Sequence, residues 1–119
     1  MITSDETTLS IGGPFGEGLT AQSDNLILRA LGAAKAKPHN ITLEKNLPVS
    51  AGIGGGSANA AAVLRRCGVD DLHIAVSLGA DVPVCLRSET AHMTGIGEDV
   101  TFMPGMGQLH ALLLSLIHI

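Results

Sequence analysis

The sequence predicts an α+β fold in which helices cover one face of a mostly antiparallel sheet. Segments of alternating apolar and polar residues, typical of half-buried strands, are interspersed with segments whose apolar residues recur at helical spacing. There is no internal repeat, and 119 residues leave room for a single domain with a modest core. Since Phe15 and Phe102 are the only aromatic residues, that core has to be built from aliphatic side chains.

The first half of the chain predicts a strand, a helix and a second strand. Thr7–Ile11 is a short strand that ends at the following Gly-Gly-Pro. A helix runs from a Ser23 or Asp24 cap to about Ala36, and its apolar face carries Leu26, Ile27, Ala30, Leu31 and Ala34. Asn40–Asn46 predicts the second strand, with Ile41 and Leu43 facing inward and Thr42 and Glu44 facing outward.

The second half predicts two helices and several strands. Ser57–Arg66 is rich in helix-forming residues, and Asp70 or Asp71 caps a further helix that ends at Gly79. Val82 precedes a proline and is therefore expected to be extended, so that Asp81 lies where a helix gives way to a strand. The predicted strands are Val82–Leu86, Thr90–Thr94, Asp99–Met103 and a buried Leu109–Leu114, with Gly95-Ile96-Gly97-Glu98 joining the second to the third.

Charge and composition narrow the functional classes. The net charge is −4 and the seven Lys and Arg residues are scattered, which argues against nucleic-acid binding. Cys67 and Cys85 lack CxxC spacing and indicate neither a disulfide framework nor a zinc site. The apolar stretch 109–119 is too short to span a membrane and no secretory signal opens the chain, so the cytoplasm is the expected location. No metal ligands are predicted, because ligand spacing is absent among His39, His73, His92, His110 and His118.

The segment Pro48–Ala61 carries the strongest functional signal. Gly52 and Gly54–Gly56 have no Cβ atoms, which lets a large anion approach the backbone N–H groups. A helix is predicted directly behind them, and a helix N-terminus favours negative charge. The spacing lacks the Gly-Lys-Ser/Thr of a Walker loop and the third glycine of a dinucleotide fingerprint. The pattern therefore predicts a nucleotide-binding loop of another class; the alternative is a glycine turn followed by a packing helix.

Pro48–Ala61 resembles the second motif of the GHMP kinases, the superfamily of galactose, homoserine, mevalonate and phosphomevalonate kinases. Three more segments, Ser23–Ala30, Leu43–Pro48 and Leu78–Leu86, occur in the order found in one family of these enzymes. That family is the 4-diphosphocytidyl-2-C-methyl-D-erythritol kinases of the non-mevalonate isoprenoid pathway. The resemblance covers nearly the whole chain, and it implies a fold like the N-terminal domain of a GHMP kinase.

The resemblance implies an ATP-dependent kinase that phosphorylates the 2-hydroxyl of 4-diphosphocytidyl-2-C-methyl-D-erythritol. Asp81 matches the family's catalytic aspartate, a general base that accepts the proton of the attacking hydroxyl. Mg²⁺ is expected to accompany the ATP phosphates. Lys45 and Asn25 match residues on the adenine side, and ATP is expected to lie against Pro48, Val49, Ser50, Ala51, Gly52, Ile53, Gly54, Gly55, Gly56, Ser57 and Ala58.

Each of these residues also has an interpretation that needs no ligand. Asp81 could be a turn or cap residue, and Lys45 an exposed strand residue. Asn25 could belong to the first turn of a helix, and Ser57 is a good N-cap.

Parts of the family's pattern have no counterpart in the chain. A strand with Lys-x-Asn-Leu, which supplies the lysine partner of the catalytic aspartate, is missing, and so is a second domain. We therefore expect a central fragment, with residues 1–114 as a partial ATP-binding domain, 115–119 as a non-native tail and negligible kinase activity for the chain alone. The alternatives are an inactive nucleotide-binding domain or another GHMP kinase, although Leu78–Pro83 disfavours the latter. No feature predicts an oligomeric state.

Overall fold

The computed structural model describes residues 7–19, 25–49 and 52–114. Strands and helices are interspersed along these ranges, and the α+β class is confirmed. The elements are β1 Thr8–Gly12, α1 Leu26–Ala33, β2 Asn40–Glu44, α2 Gly55–Arg66, α3 Leu72–Leu78, α4 Val82–Arg87, β3 Ala91–Thr94 and β4 Asp99–Phe102.

The described strands form two separate pairs in place of the single, mostly antiparallel sheet that was expected. β1 and β2 are parallel, with Leu9 opposite Ile41, whereas β3 and β4 are antiparallel, with Thr94 opposite Asp99. The helix between β1 and β2 returns the chain to the same end of the pair, which makes the pairing parallel. The four residues between β3 and β4 allow only a hairpin, as the sequence predicts. Alternation thus predicted the strands, but not the partner of β1.

The core lies between the four helices. α1 packs against α2, and α4 packs against both α2 and α3. Alanines at the contacts let the helices approach closely, and Leu64 and Val82 are the largest aliphatic side chains that are fully buried. The buried cluster consists of Ala30, Ala60, Ala61, Leu64, Ala75, Leu78, Val82 and Leu86.

Two strand predictions are wrong. Val82–Arg87 is a helix, because Pro83 stands in its first turn, where a missing N–H costs no intrahelical hydrogen bond. A short apolar run does not distinguish a buried strand from a buried helix by periodicity. Residues 109–114 form no strand; Leu112, for example, is 92% exposed. None of the described residues pairs with this segment as a strand.

The helix ends differ in detail from those predicted. Asn25 is the N-cap of α1, since its side chain accepts a hydrogen bond from the Ile27 N–H at 3.0 Å, while the predicted caps Ser23 and Asp24 lie outside the described residues. α1 ends at Ala33, earlier than the sequence suggested. α3 agrees with its prediction: Asp71 caps it, and Gly79 ends it. No helix in the described ranges is long and apolar enough to cross a membrane.

Candidate functional site

The segment Gly52–Gly56, called the glycine loop below, leads directly into the first turn of α2. Gly54 is the N-cap, in the left-handed conformation at φ 72°, and as a glycine it has no side chain with which to cap the helix. The first hydrogen bond into the helix runs from the Ala58 N–H to the Gly54 carbonyl at 2.8 Å. The N–H groups of Gly55–Ser57 therefore have no partner within the helix and are available to an anion. Ser57 belongs to this first turn; it is not the N-cap that the sequence suggested.

Lys45 follows β2 and points its side chain at this loop. It is only 7% exposed, which is uncommon for a lysine and rules out the exposed-strand interpretation. Its Nζ lies 3.2 Å from the position that a Cβ on Gly55 would take. Both backbone groups of Lys45 are hydrogen-bonded: its N–H donates to the Gly12 carbonyl at 2.8 Å, and its carbonyl accepts from the Phe15 N–H at 3.1 Å. No ion pair to Lys45 forms among the described residues, so none of them neutralises the charge that faces the loop.

A cleft of about 490 Å³ opens between these elements. Most of the residues predicted to hold a nucleotide line it: Asn25, Lys45, Pro48, Val49, Gly52, Ile53, Gly54, Gly55, Gly56 and Ser57. Ala58 is exposed on α2 and is not part of this lining, and Ser50 and Ala51 lie outside the described residues. Segments far apart in sequence thus meet in one concave surface of the size typical of small-molecule sites.

Sequence reasoning overlooked several residues of the cleft wall. Leu43 lies on β2, two positions before Lys45, which directly follows the strand, so the period of a strand could have placed both on one face. Helical spacing places Leu26 and Ile27 on the packing face of α1, yet both also reach the cleft. Gly18 and Leu19 come from a loop that gave no sequence signal. Asn59 joins the wall from the second turn of α2.

Asp81 lies apart from this cleft, at the N-cap position of α4. It is exposed, and its side chain makes no capping hydrogen bond, in contrast to Asp71, whose carboxylate accepts the His73 N–H at 2.8 Å. Asp81 therefore occupies a cap position without serving as a side-chain cap. Burial raises the pKa of the Cys85 thiol, the Asp81 carboxylate raises it further, and the Arg65 guanidinium acts in the opposite direction. The carboxylate of Asp81 thus acts electrostatically on the next turn of α4.

The Gly12-Gly13 pair supports Lys45 through a close backbone contact. A Cβ on Gly13 would lie 2.6 Å from the Lys45 carbonyl oxygen and 2.7 Å from its nitrogen, and Gly13 has φ 87°. We expect Gly13→Ala to lower the free energy of unfolding by roughly 2–4 kcal/mol, since strain and overlap add. Urea denaturation followed by circular dichroism measures this loss.

Substitutions at two neighbouring glycines distinguish the strain of a positive φ from the overlap with Lys45. Gly18→Ala has the same backbone problem, at φ 84°, but no atom within 4 Å, so it should cost only about 1 kcal/mol. Gly12→Ala meets nothing within 4 Å and has no positive φ, so its effect should be within about 0.5 kcal/mol. Equal losses for all three variants would contradict the close contact with Lys45.

Comparison with known proteins points to one family. The sequence profile described as "GHMP kinases N terminal domain" matches residues 25–89, a stretch that contains Asn25, Lys45, the glycine loop and Asp81. The 4-diphosphocytidyl-2-C-methyl-D-erythritol kinase of Paracoccus denitrificans is 51% identical over 108 residues, which are 91% of this chain and 39% of that protein. The protein of the same name from Granulibacter bethesdensis is 49% identical over 121 residues, 90% of this chain and 40% of its own length.

A solved structure agrees with the sequence relatives. The crystal structure of a 4-(cytidine 5'-diphospho)-2C-methyl-D-erythritol kinase superposes with a TM-score of 0.59 at 36% identity, over 82% of this chain and 38% of that one. The chain thus spans about two fifths of the length of the proteins it resembles. Since the family profile matches more than half of its residues, the chain belongs to the GHMP kinase family through the N-terminal domain.

Proposed function

We propose that the cleft binds ATP, and that the chain is the nucleotide-binding part of a kinase acting on the 2-hydroxyl of 4-diphosphocytidyl-2-C-methyl-D-erythritol. The observation that carries this proposal is the meeting of the buried Lys45 amine with the N–H groups of Gly55–Ser57, which have no partner within α2. A cation and a helix N-terminus that face one cleft favour a polyanion. A glycine turn with a packing helix does not account for a buried lysine without a counterion among the described residues.

The cleft has separate surfaces for the two ends of ATP. The phosphates fit against Gly54–Ser57, where the absence of Cβ atoms lets them approach the backbone. Leu19, Leu43 and Val49 give an apolar wall for the base, and Asn25 adds an amide at its side. Binding at the loop is therefore expected to depend on the phosphates more than on the nucleoside.

Mg²⁺ fits this site only together with the nucleotide. Ser57 contributes a hydroxyl to the cleft wall, an oxygen donor suited to Mg²⁺, while no carboxylate lines the described cleft. No three His, Cys, Asp or Glu side chains of the described residues come together as a metal site. Bound to ATP, Mg²⁺ supplies neutralisation of the charge that develops on the phosphates.

Asp81 is the proposed general base. Its carboxylate is exposed and is not used to cap α4, so it is free to accept the proton of an incoming hydroxyl. Because phosphoryl transfer needs little covalent help from protein groups, a phosphate-binding loop and one general base are the two roles that we assign to this part of the enzyme. The names of the relatives supply the substrate in this proposal, and a cytoplasmic location stays a prediction.

Calorimetric titration of the chain with ATP and with adenosine, in the presence of Mg²⁺, tests the binding half of the proposal. We expect saturable binding of ATP and at least about tenfold weaker binding of adenosine, because the phosphates meet the N–H groups and Lys45. Circular dichroism of the same sample verifies that the chain is folded. A folded chain that does not distinguish ATP from adenosine would exclude a phosphate site at the loop.

A chimera tests the catalytic half. Residues 7–114 would replace the matching segment of the Paracoccus denitrificans relative, which is 51% identical to this chain there. We expect ADP release that depends on 4-diphosphocytidyl-2-C-methyl-D-erythritol. A folded chimera that binds ATP without turnover would favour the inactive nucleotide-binding domain.

A further inference from the structure

The turn Gly95–Glu98 between β3 and β4 is closed by its own acidic residue. The Ile96 N–H donates to Glu98 Oε2 at 2.6 Å, and the Gly97 N–H donates to the Thr94 carbonyl at 3.1 Å. A Cβ on Gly95 would lie 2.7 Å from the carboxyl carbon of Glu98, so the carboxylate folds back into space that only a glycine leaves open. The Glu98 side chain is therefore engaged with the backbone of its own turn.

The same turn packs against the residue before Asp81. Gly97 is buried at φ 106°, and a Cβ placed on it would lie 2.9 Å from the Ala80 Cβ and 3.3 Å from the Ala80 carbonyl oxygen. Ala80 and Asp81 are the central residues of a tight turn that is closed by the hydrogen bond from the Val82 N–H to the Gly79 carbonyl at 3.2 Å. One peptide unit joins Ala80 to Asp81. The position of Ala80 therefore determines the position of the Asp81 backbone, from which the carboxylate side chain extends.

We infer that Glu98 is a positioning residue for Asp81, acting through the hairpin turn that it closes and the contact of Gly97 with Ala80. The inference rests on the proposed role of Asp81 as general base. The Asp81 side chain makes no capping hydrogen bond, so its location depends on the backbone of its turn. Val82 anchors that turn on one side by burial in the core, and Gly97 supports it from the other.

The thiol of Cys85 offers a readout that does not depend on catalysis. Asp81 raises the pKa of this thiol, and Glu98 is not among the charges that act on it. Since a loosened turn lets the exposed carboxylate move away into water, Glu98→Ala is expected to lower the thiol pKa, in the direction of Asp81→Asn. The pKa is obtained from the pH dependence of iodoacetamide alkylation in the 119-residue chain, with Cys85 and Cys67 separated by peptide mass spectrometry.

Three comparisons show whether the shift comes from Asp81. Glu98→Gln keeps an acceptor for the Ile96 N–H and should leave the thiol pKa as in the unmodified chain. Ile96→Ala removes a side chain that is 85% exposed in the same turn, and should also have no effect. In an Asp81→Asn background, Glu98→Ala should add no further shift, because the charge that it displaces is absent.

The chimera supplies the catalytic readout. We expect Glu98→Ala to lower kcat roughly 10- to 100-fold, since a small displacement of a catalytic group is costly, while the KM for ATP stays within about twofold. Glu98→Gln should restore kcat. An unchanged Cys85 pKa in Glu98→Ala, or an equal shift in the Asp81→Asn background, would overturn the positioning role. If the thiol pKa responds as expected while neither Glu98→Ala nor Asp81→Asn changes kcat, the positioning stands and the proposed role of Asp81 fails.

Discussion

Asp81→Asn is expected to lower the kcat of the chimera by about 10²- to 10⁴-fold, the usual contribution of a general base. The substitution keeps the shape of the side chain and removes its ability to accept a proton. Because Asp81 lies outside the cleft that contains the glycine loop, the KM for ATP should change by less than about twofold. Steady-state kinetics with coupled detection of ADP measures both constants.

Asp71→Asn is the matched control for this prediction. It makes the same chemical change at another exposed helix N-cap, and asparagine replaces aspartate well as a cap. Its kcat and KM should therefore equal those of the unsubstituted chimera. Equal losses of kcat and ATP affinity in Asp81→Asn would contradict the assignment of Asp81 as the base and would place it in nucleotide binding.

Lys45→Met is expected to weaken ATP binding by roughly 10- to 100-fold, because a hydrogen bond from a charged donor to the nucleotide is lost. The same substitution should leave the chain as stable as before, or stabilise it. Methionine fills a similar space. Burial of the Lys45 ammonium costs desolvation free energy, and none of the described residues forms an ion pair that would offset it. Calorimetric titration with ATP and thermal unfolding followed by circular dichroism give the two quantities.

Weaker ATP binding together with unchanged or higher stability would identify Lys45 as a residue that serves ATP binding and not folding, since functional groups often reduce the stability of a protein. Lys37→Met changes an exposed lysine in the segment before β2 and should alter neither quantity. A Lys45→Met chain that binds ATP as well as the unsubstituted chain would show that the buried amine has no part in the nucleotide site.

The glycine loop was the part of the site that could be predicted best, because its requirements are local. Missing Cβ atoms at Gly54–Gly56 and a helix directly behind them follow from residues adjacent in the chain. The cap of α3, assigned to Asp70 or Asp71, and the β3–β4 hairpin were predicted for the same reason. Local rules were less reliable at Val82–Arg87, where a short apolar run that contains a proline fits either a buried strand or a buried helix.

The sequence by itself determined the family, the glycine segment that leads into a helix and the order of most elements, since each of these depends on residue types at short spacing. Only the tertiary structure decided that Lys45 is buried against Gly55, that β1 pairs in parallel with β2, and that Gly97 packs on Ala80. Those facts depend on contacts between segments far apart in the chain. The hydrophobic pattern within one helix or strand indicates which of its faces is apolar, but it does not indicate which other segment covers that face.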